Sequence, residues 1–241
     1  MKNWRLISDN PNSPLVREHL KHGIASITGE RFEDPAVFYK HFFKGQTVLD
    51  IGMVGHVIEN SLKGDWRHDN IRKEATRTVG IDIVEDAVLE LRQKGYDVRL
   101  VDATSEVDIG ERFERVVLGD VIEHVDNPVA LLRFAALHLA ENGLIVCTTP
   151  NPLFVENALS VLRNGVMLAN AEHVSWITPT NAIELACRAG LSLKAIHHYT
   201  GGGNTAFRKA CISVLKILGL IKYDYFARSF IYVFEKHDAQ S

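Results

Sequence analysis

The segment Thr47-Val48-Leu49-Asp50-Ile51-Gly52-Met53-Val54-Gly55-His56 runs from a β-rich stretch into an acid and then through two glycines. A helical stretch from Val57 to Leu62 follows. Strand, tight turn and helix start is the arrangement with which an open α/β sheet binds a nucleotide-like ligand. Asp50 would stand at the carboxyl end of that strand. Gly52 and Gly55 would let the backbone turn and approach a ligand, because glycine has no Cβ and tolerates positive φ. A short Gly-x-x-Gly turn is a common feature, so its weight comes from the chain around it.

Downstream, the same rhythm repeats. A polar loop over Lys63 to Arg77 leads to a second strand, Thr78 to Ile83, which carries Asp82 near its end. Asp86 to Lys94 is a helix, with Ala87, Val88 and Leu91 at helical spacing and Gly95 as its stop. Tyr96 to Val101 is a third strand, followed by Asp102. Phe113 to Leu118 is a fourth, followed by Gly119-Asp120. A helix from Val129 to Ala140 and a strand from Leu144 to Thr148 come next. Thr178-Pro179 opens a helix over Thr180 to Ala189, and Leu191 to Tyr199 is another strand. Beyond Gly201-Gly202-Gly203, the spacing predicts an apolar-striped basic helix over Ala206 to Leu218 and a last strand over Phe230 to Phe234. Strands alternating with helices predict a doubly wound, Rossmann-like α/β fold. Its sheet would be mostly parallel and seven-stranded, with helices on both faces.

Upstream, Leu15 to Ile27 reads as a helix and Asp34-Pro35 as the start of another, with proline in the first turn. Phe38, Tyr39, Phe42 and Phe43 give the second helix an aromatic face. Either that face packs on the sheet edge, or the segment closes over a ligand. The expected division is an N-terminal helical cap or lid over residues 1–46 and a domain over 47–241, the whole forming one compact unit.

The 241 residues, 46% hydrophobic and 24% charged, suit one globular domain. The net charge of −3, with no long basic run, argues against a broad nucleic-acid-binding surface. Three cysteines far apart argue against a disulfide framework and fit a reducing cytoplasm. No signal-peptide core is seen at the N-terminus, and no apolar run reaches the roughly 18 residues that a membrane span needs. The expectation is a cytoplasmic protein with no transmembrane segment.

The acids narrow the ligand. A carboxylate at Asp82 can accept both hydroxyls of a ribose, and Asp102 could reach an adenine amino group. Any one such acid can be a plain helix cap, but three at successive strand ends argue for a common purpose. A dinucleotide needs Gly-x-Gly-x-x-Gly under its pyrophosphate, and Val54 stands at the middle glycine. A sulfonium cofactor has no phosphate and a positive reacting sulfur, which suits Asp50, Asp82, Asp102, Asp120 and Glu123.

Taken together, Val48-Leu49-Asp50-Ile51-Gly52, Val79-Gly80-Ile81-Asp82, Asp102-Ala103 and Gly119-Asp120-Val121-Ile122-Glu123-His124-Val125-Asp126-Asn127-Pro128 resemble the class I S-adenosylmethionine-dependent methyltransferases. Gly143 to Pro152 and Glu172-His173-Val174-Ser175-Trp176-Ile177-Thr178-Pro179 extend the resemblance, over roughly residues 45–195. The branch it looks most like holds ubiquinone-type and sugar-cluster enzymes. The resemblance implies that Asp50, Gly52, Gly55 and the turn to His56 hold the cofactor's methionine end. It also implies that Asp82 takes the ribose, Ile83 packs on the adenine, Asp102 and Ala103 bind the adenine edge, and Gly119 and Asp120 lie beside the sulfonium. Val54 and His56 depart from the family's glycine-rich turn.

For the chemistry, Glu123, His124 and His173 are the candidate acid-base groups that would take a proton from an acceptor hydroxyl. Asp120, Glu123, His124 and His173 also look like the ligand set of metal-dependent members, which would hold Mg²⁺, Mn²⁺ or Zn²⁺. The alternative is that Glu123 and His124 only shape a helix start and His173 pairs locally. Trp66 and His68 either border the cofactor or are ordinary loop residues, and the second reading is favoured. The function expected is S-adenosylmethionine-dependent O-methylation of a small-molecule or sugar-like hydroxyl. Two alternatives stand beside it: a non-catalytic partner protein of the same fold, suggested by Val54 and His56, and a metal-dependent RNA 2′-O-methyltransferase.

Overall fold

The computed structural model describes residues 4–55, 66–201, 213–214 and 227–237. Its strands are β1 (Thr28–Phe32), β2 (Thr47–Ile51), β3 (Arg77–Asp82), β4 (Val98–Leu100), β5 (Phe113–Gly119), β6 (Leu139–Pro150), β7 (Leu191–Tyr199) and β8 (Ser229–Lys236). The helices are α1 (Pro14–Ile27), α2 (Pro35–Phe43), α3 (Arg67–Glu74), α4 (Glu85–Gln93), α5 (Pro128–Leu137), α6 (Val155–Asn164) and α7 (Pro179–Arg188).

The strands form one sheet in the order β1-β7-β8-β6-β5-β2-β3-β4. Only β8 runs antiparallel to its neighbours. The mostly parallel, doubly wound α/β fold expected from the alternation is therefore present. The sheet has eight strands where the pattern predicted seven. The extra strand is β1, which pairs parallel with β7 at the sheet edge and lies within the stretch expected to be helical. Thr28-Gly29-Glu30-Arg31-Phe32 has a glycine, two charges and one buried side chain, so it carries no alternation to read.

Helices cover both faces because both faces of a parallel sheet are apolar. Ile24 of α1, Leu131 and Phe134 of α5, and Ala182 and Ala186 of α7 share one core with Leu49, Ile81, Val116 and Ile145. Phe38, Phe42 and Phe43 of α2 and Ile71 of α3 pack on the other face against Val48, Val117 and Val146. The aromatic side of α2 is therefore core. Caps fix several helix starts: Asp34 accepts from Ala36 N–H, Asn127 from Ala130 N–H, and Thr178 and Asn181 form a capping box.

The region expected to be a loop over Lys63 to Arg77 contains α3. Its inward positions are only His68 and Ile71, three residues apart, and a helix with so narrow an apolar stripe reads as polar. The helix expected to reach Ala140 stops at Leu137, and β6 begins at Leu139, with Asn142 at φ 58° before Gly143. The helix proposed for 57–62 and most of that proposed for 206–218 lie outside the described residues.

Candidate active site

Parallel register brings the acids together. Ile51 pairs with both Ile81 and Leu118, and Gly119 pairs with Thr148. The residues just beyond β2, β3, β5 and β6 therefore share one edge of the sheet. Above that edge lie two cavities of about 340 Å³ and about 710 Å³. They have Gly52, Asp82, Ile83, Val121, His124 and Val125 in common, so they form one groove.

At the narrow end, Asp82 is buried. Its Oδ1 accepts the N–H groups of Ile83 and Val84 at 2.8 and 3.1 Å, and its Oδ2 accepts that of Val54 at 2.9 Å. Oδ2 thus keeps capacity for a further donor. Ile83 is 69% exposed beside it, an apolar face open to the groove. Asp102 accepts both the N–H and the hydroxyl of Thr104 on Oδ1, each at 2.7 Å. Those hydrogen bonds hold its carboxyl below the usual range. Ala103, Val101 and Leu131 supply apolar wall. This donor and acceptor set fits an adenosine.

Gly52 and Gly55 turn as expected, and the Val54 departure from the family pattern is absorbed by the core. Gly52 and Gly55 have φ of 67° and 73°, and a Cβ on Gly52 would collide with Val121 Cγ2. Val54 is 1% exposed and packs with Met53, Trp66, Ala87 and Val88. Trp66 and His68 are both buried: Trp66 precedes α3, lines the groove and donates its indole N–H to Met53 O at 2.7 Å, while His68 lies within α3. His56 lies outside the described residues.

Asp50 is fully buried and does not line the groove. Its Oδ2 meets His68 Nδ1 at 2.9 Å, and its Oδ1 meets Arg67 Nε at 3.2 Å. Burial alone would raise the Asp50 pKa, but Arg67 and His68 outweigh it and hold it below the ordinary range. The Arg67 guanidinium extends across the strand ends. Its Nη2 donates to Gly52 O at 2.6 Å, and its Nη1 donates to Gly119 O. Burial opposes the Arg67 charge, yet Asp50 and Asp120 raise its pKa.

Asp120 adopts φ 53°, an uncommon conformation for a residue with a side chain, of the kind that collects at functional sites. Its N–H donates to Thr148 O at 3.0 Å, and its Oδ1 accepts the Thr148 hydroxyl at 3.1 Å. Glu123 is 1% exposed. Its Oε2 accepts the Thr149 hydroxyl at 3.1 Å, while its Oε1 has no hydrogen-bond partner among the described residues. Burial, with the nearby Asp120 charge, pushes the Glu123 pKa up to about 7. Glu123 O also accepts Val174 N–H at 2.9 Å, which ties the segment bearing His173 to the site. The His124 and His173 rings lie 4.8 Å apart, edge to face. Ligand atoms of Glu123, His124 and His173 fall within 4.8 Å of one another. Asp120 is not in that group, and its Oδ1 is held by Thr148.

A family model described as a methyltransferase domain matches residues 17–196, well over half of the chain. The chain belongs to the class I S-adenosylmethionine-dependent methyltransferases. Among curated relatives of this methyltransferase, a ubiquinone biosynthesis O-methyltransferase of Ruegeria pomeroyi is 27% identical over 160 residues, covering 62% of this chain and 61% of the relative. One from Dinoroseobacter shibae is 26% identical over 190 residues, covering 74% and 71%. The match thus spans less than two thirds of the Ruegeria protein's length. A solved S-adenosylmethionine-dependent methyltransferase of Archaeoglobus fulgidus superposes with a TM-score of 0.54 at 17% identity, covering 92% of this chain and 93% of its own. The CcbJ methyltransferase of Streptomyces caelestis gives 0.53 at 15%, covering 84% and 88%. At these identities the structural likeness shows the fold alone.

Of the residues picked out from the sequence, Gly52, Gly55, Asp82, Ile83, Asp102, Ala103, Gly119, Asp120, Glu123, His124 and His173 all line the groove. Arg67 also lines it and was not anticipated. Its sequence context, a cation after Trp66, carries no signal, since its role depends on the ends of β2 and β5 meeting. Thr148 and Thr149 were likewise unassigned, and both gain their partners through the β5–β6 register.

Proposed function

We propose that this methyltransferase transfers the methyl group of S-adenosylmethionine to a hydroxyl of a small molecule. The observation that carries the reading is the clustering of Glu123, His124 and His173 in the wider part of the groove, with His124 at its junction with the adenosine-fitting pocket. In this reading Asp82 Oδ2 accepts a ribose hydroxyl, Ile83 and Ala103 enclose the adenine, and Asp102 meets its amino edge. Gly52 and Gly55 border the methionine moiety. Gly119 and Asp120 lie beside the sulfonium, with Asp50 acting from behind by fixing the strand ends. The curated relatives, named as O-methyltransferases, support oxygen as the acceptor atom.

The cofactor supplies an electrophilic methyl carbon. The protein's part is to align the acceptor oxygen in line with it and to receive the hydroxyl proton. His124, exposed to the groove, is the proposed base. His173 packs against it and sets its ring. Glu123, whose Oε1 is turned inward without a hydrogen-bond partner among the described residues, is placed to take up the proton or to orient His124. Replacing His124 with Ala is expected to lower kcat by roughly 10²–10⁴-fold while leaving S-adenosylhomocysteine affinity within a factor of about three. Labelled methyl transfer to a panel of hydroxylated and aminated small molecules tests the reading. Transfer confined to amines would sink the oxygen assignment.

The same three ligand atoms favour a second reading. Glu123, His124 and His173 offer one carboxylate and two imidazoles, a set that suits Mg²⁺, Mn²⁺ or Zn²⁺. A bound ion would lower the pKa of the acceptor hydroxyl. Activity that survives EDTA and is not raised by added divalent ions would remove it.

A further inference from the structure

Two features of Arg67 go beyond the cofactor reading, on which the following inference rests. First, its guanidinium donates to Gly52 O and Gly119 O at the strand ends, with Ile51 O further off at 3.4 Å. A Cβ on Gly119 would collide with Arg67 Nη1, so the glycine there serves the close approach of this guanidinium. Second, Arg67 and Asp120 line the groove on one side and, on the other, a cavity of about 290 Å³ beneath α2. Phe38, Tyr39, Thr148 and Tyr199 help to line that second cavity.

At its methionine end S-adenosylmethionine carries one carboxylate and two positive centres, an ammonium and a sulfonium. Both cations are best received by carbonyl oxygens and carboxylates, and neither tolerates a second cation on the same acceptor. Two carbonyl acceptors at the ends of β2 and β5, Gly52 O and Gly119 O, are already held by Arg67. We propose that Arg67 is an internal stand-in for the ammonium of the cofactor. Cofactor binding requires its guanidinium to leave the Gly52 and Gly119 carbonyls. Its departure toward Asp120 and the cavity beneath α2 opens the partition between the two spaces. Arg67 is thus a positioning residue and a gate, not a ligand for the cofactor.

The test is calorimetric titration of the wild type and Arg67→Gln with S-adenosylhomocysteine and, separately, with adenosine, which occupies only the Asp82 to Ala103 end. The ammonium is retained in S-adenosylhomocysteine, so competition for the carbonyls persists. Arg67→Gln is expected to bind S-adenosylhomocysteine about tenfold more tightly or better, because the variant no longer has to vacate the site before binding. Adenosine affinity should be unchanged. Equal or weaker S-adenosylhomocysteine binding by the variant overturns the gate. Failure of both ligands on both proteins overturns instead the cofactor reading beneath it.

Removing Arg67 leaves the buried Asp50 carboxylate with His68 alone, a change that can unfold a protein. A second measurement therefore uses the wild type. Arginine-directed modification with phenylglyoxal, mapped by peptide mass spectrometry, should report Arg67 as slow in the free protein and several-fold faster with S-adenosylhomocysteine bound. Unchanged or greater protection on binding would contradict the proposal.

Discussion

Glu123 puts a titratable group where water is scarce. Its folded-state pKa of about 7 stands above the ordinary carboxylate value of 4.5, so ionising it costs more in the folded chain than in the unfolded one. The stability it contributes is complete below about pH 4.5 and is lost as the pH rises through about 7. Glu123→Gln should therefore gain on the wild type between pH 5 and pH 8, by on the order of 3 kcal/mol at most. Urea unfolding of both proteins in EDTA at the two pH values checks this, and a pH-independent difference would contradict it. The glycine turn offers a contrast at the same scale. Gly52→Ala combines positive φ with a collision against Val121, whereas a Cβ on Gly55 meets nothing within 4 Å among the described residues. Gly55→Ala should cost about 1–2 kcal/mol, and Gly52→Ala about 1–3 kcal/mol more, as read by thermal unfolding.

Among the elements, α2 is the one for which two readings were open. Phe43 is 0% exposed and Phe42 5%, and both face the core against Val117 and Val146. Phe43→Ala should cost about 3–5 kcal/mol, and amide exchange in α2 should be nearly as slow as in β2. Exchange in α2 as fast as at a frayed terminus would mean that it opens as a lid. The elements also differ in how legible they were. The strand Leu191 to Tyr199 is readable to the residue, since Leu191, Leu193 and Ala195 alternate with Ser192 and Lys194 and the run is bounded by Gly190 and Thr200. Helix α3 is not, because its contribution to the core is one isoleucine and a histidine that pairs with Asp50. In β1, neither glycine nor charges signal an edge strand that exists only because β7 is there to pair with.

For the whole molecule, the groove follows from topology. Acids placed after β3, β4 and β5 converge because the strands are parallel and in register, and that much could be read from the spacing of Asp82, Asp102 and Asp120. What could not be read is which side each acid turns to. Asp50 faces inward to His68 and Arg67, and Asp120 turns to Thr148. Both orientations are set by contacts between segments distant in sequence. The central claim is that this edge holds S-adenosylmethionine with its ribose on Asp82. Calorimetric titration of S-adenosylhomocysteine into wild type and Asp82→Asn tests it most directly. Saturable binding of one ligand per chain is expected, weakened about tenfold or more by the substitution, equivalent to about 1.4 kcal/mol. Binding unaffected by Asp82→Asn, or absent from both the wild type and Arg67→Gln, would contradict it.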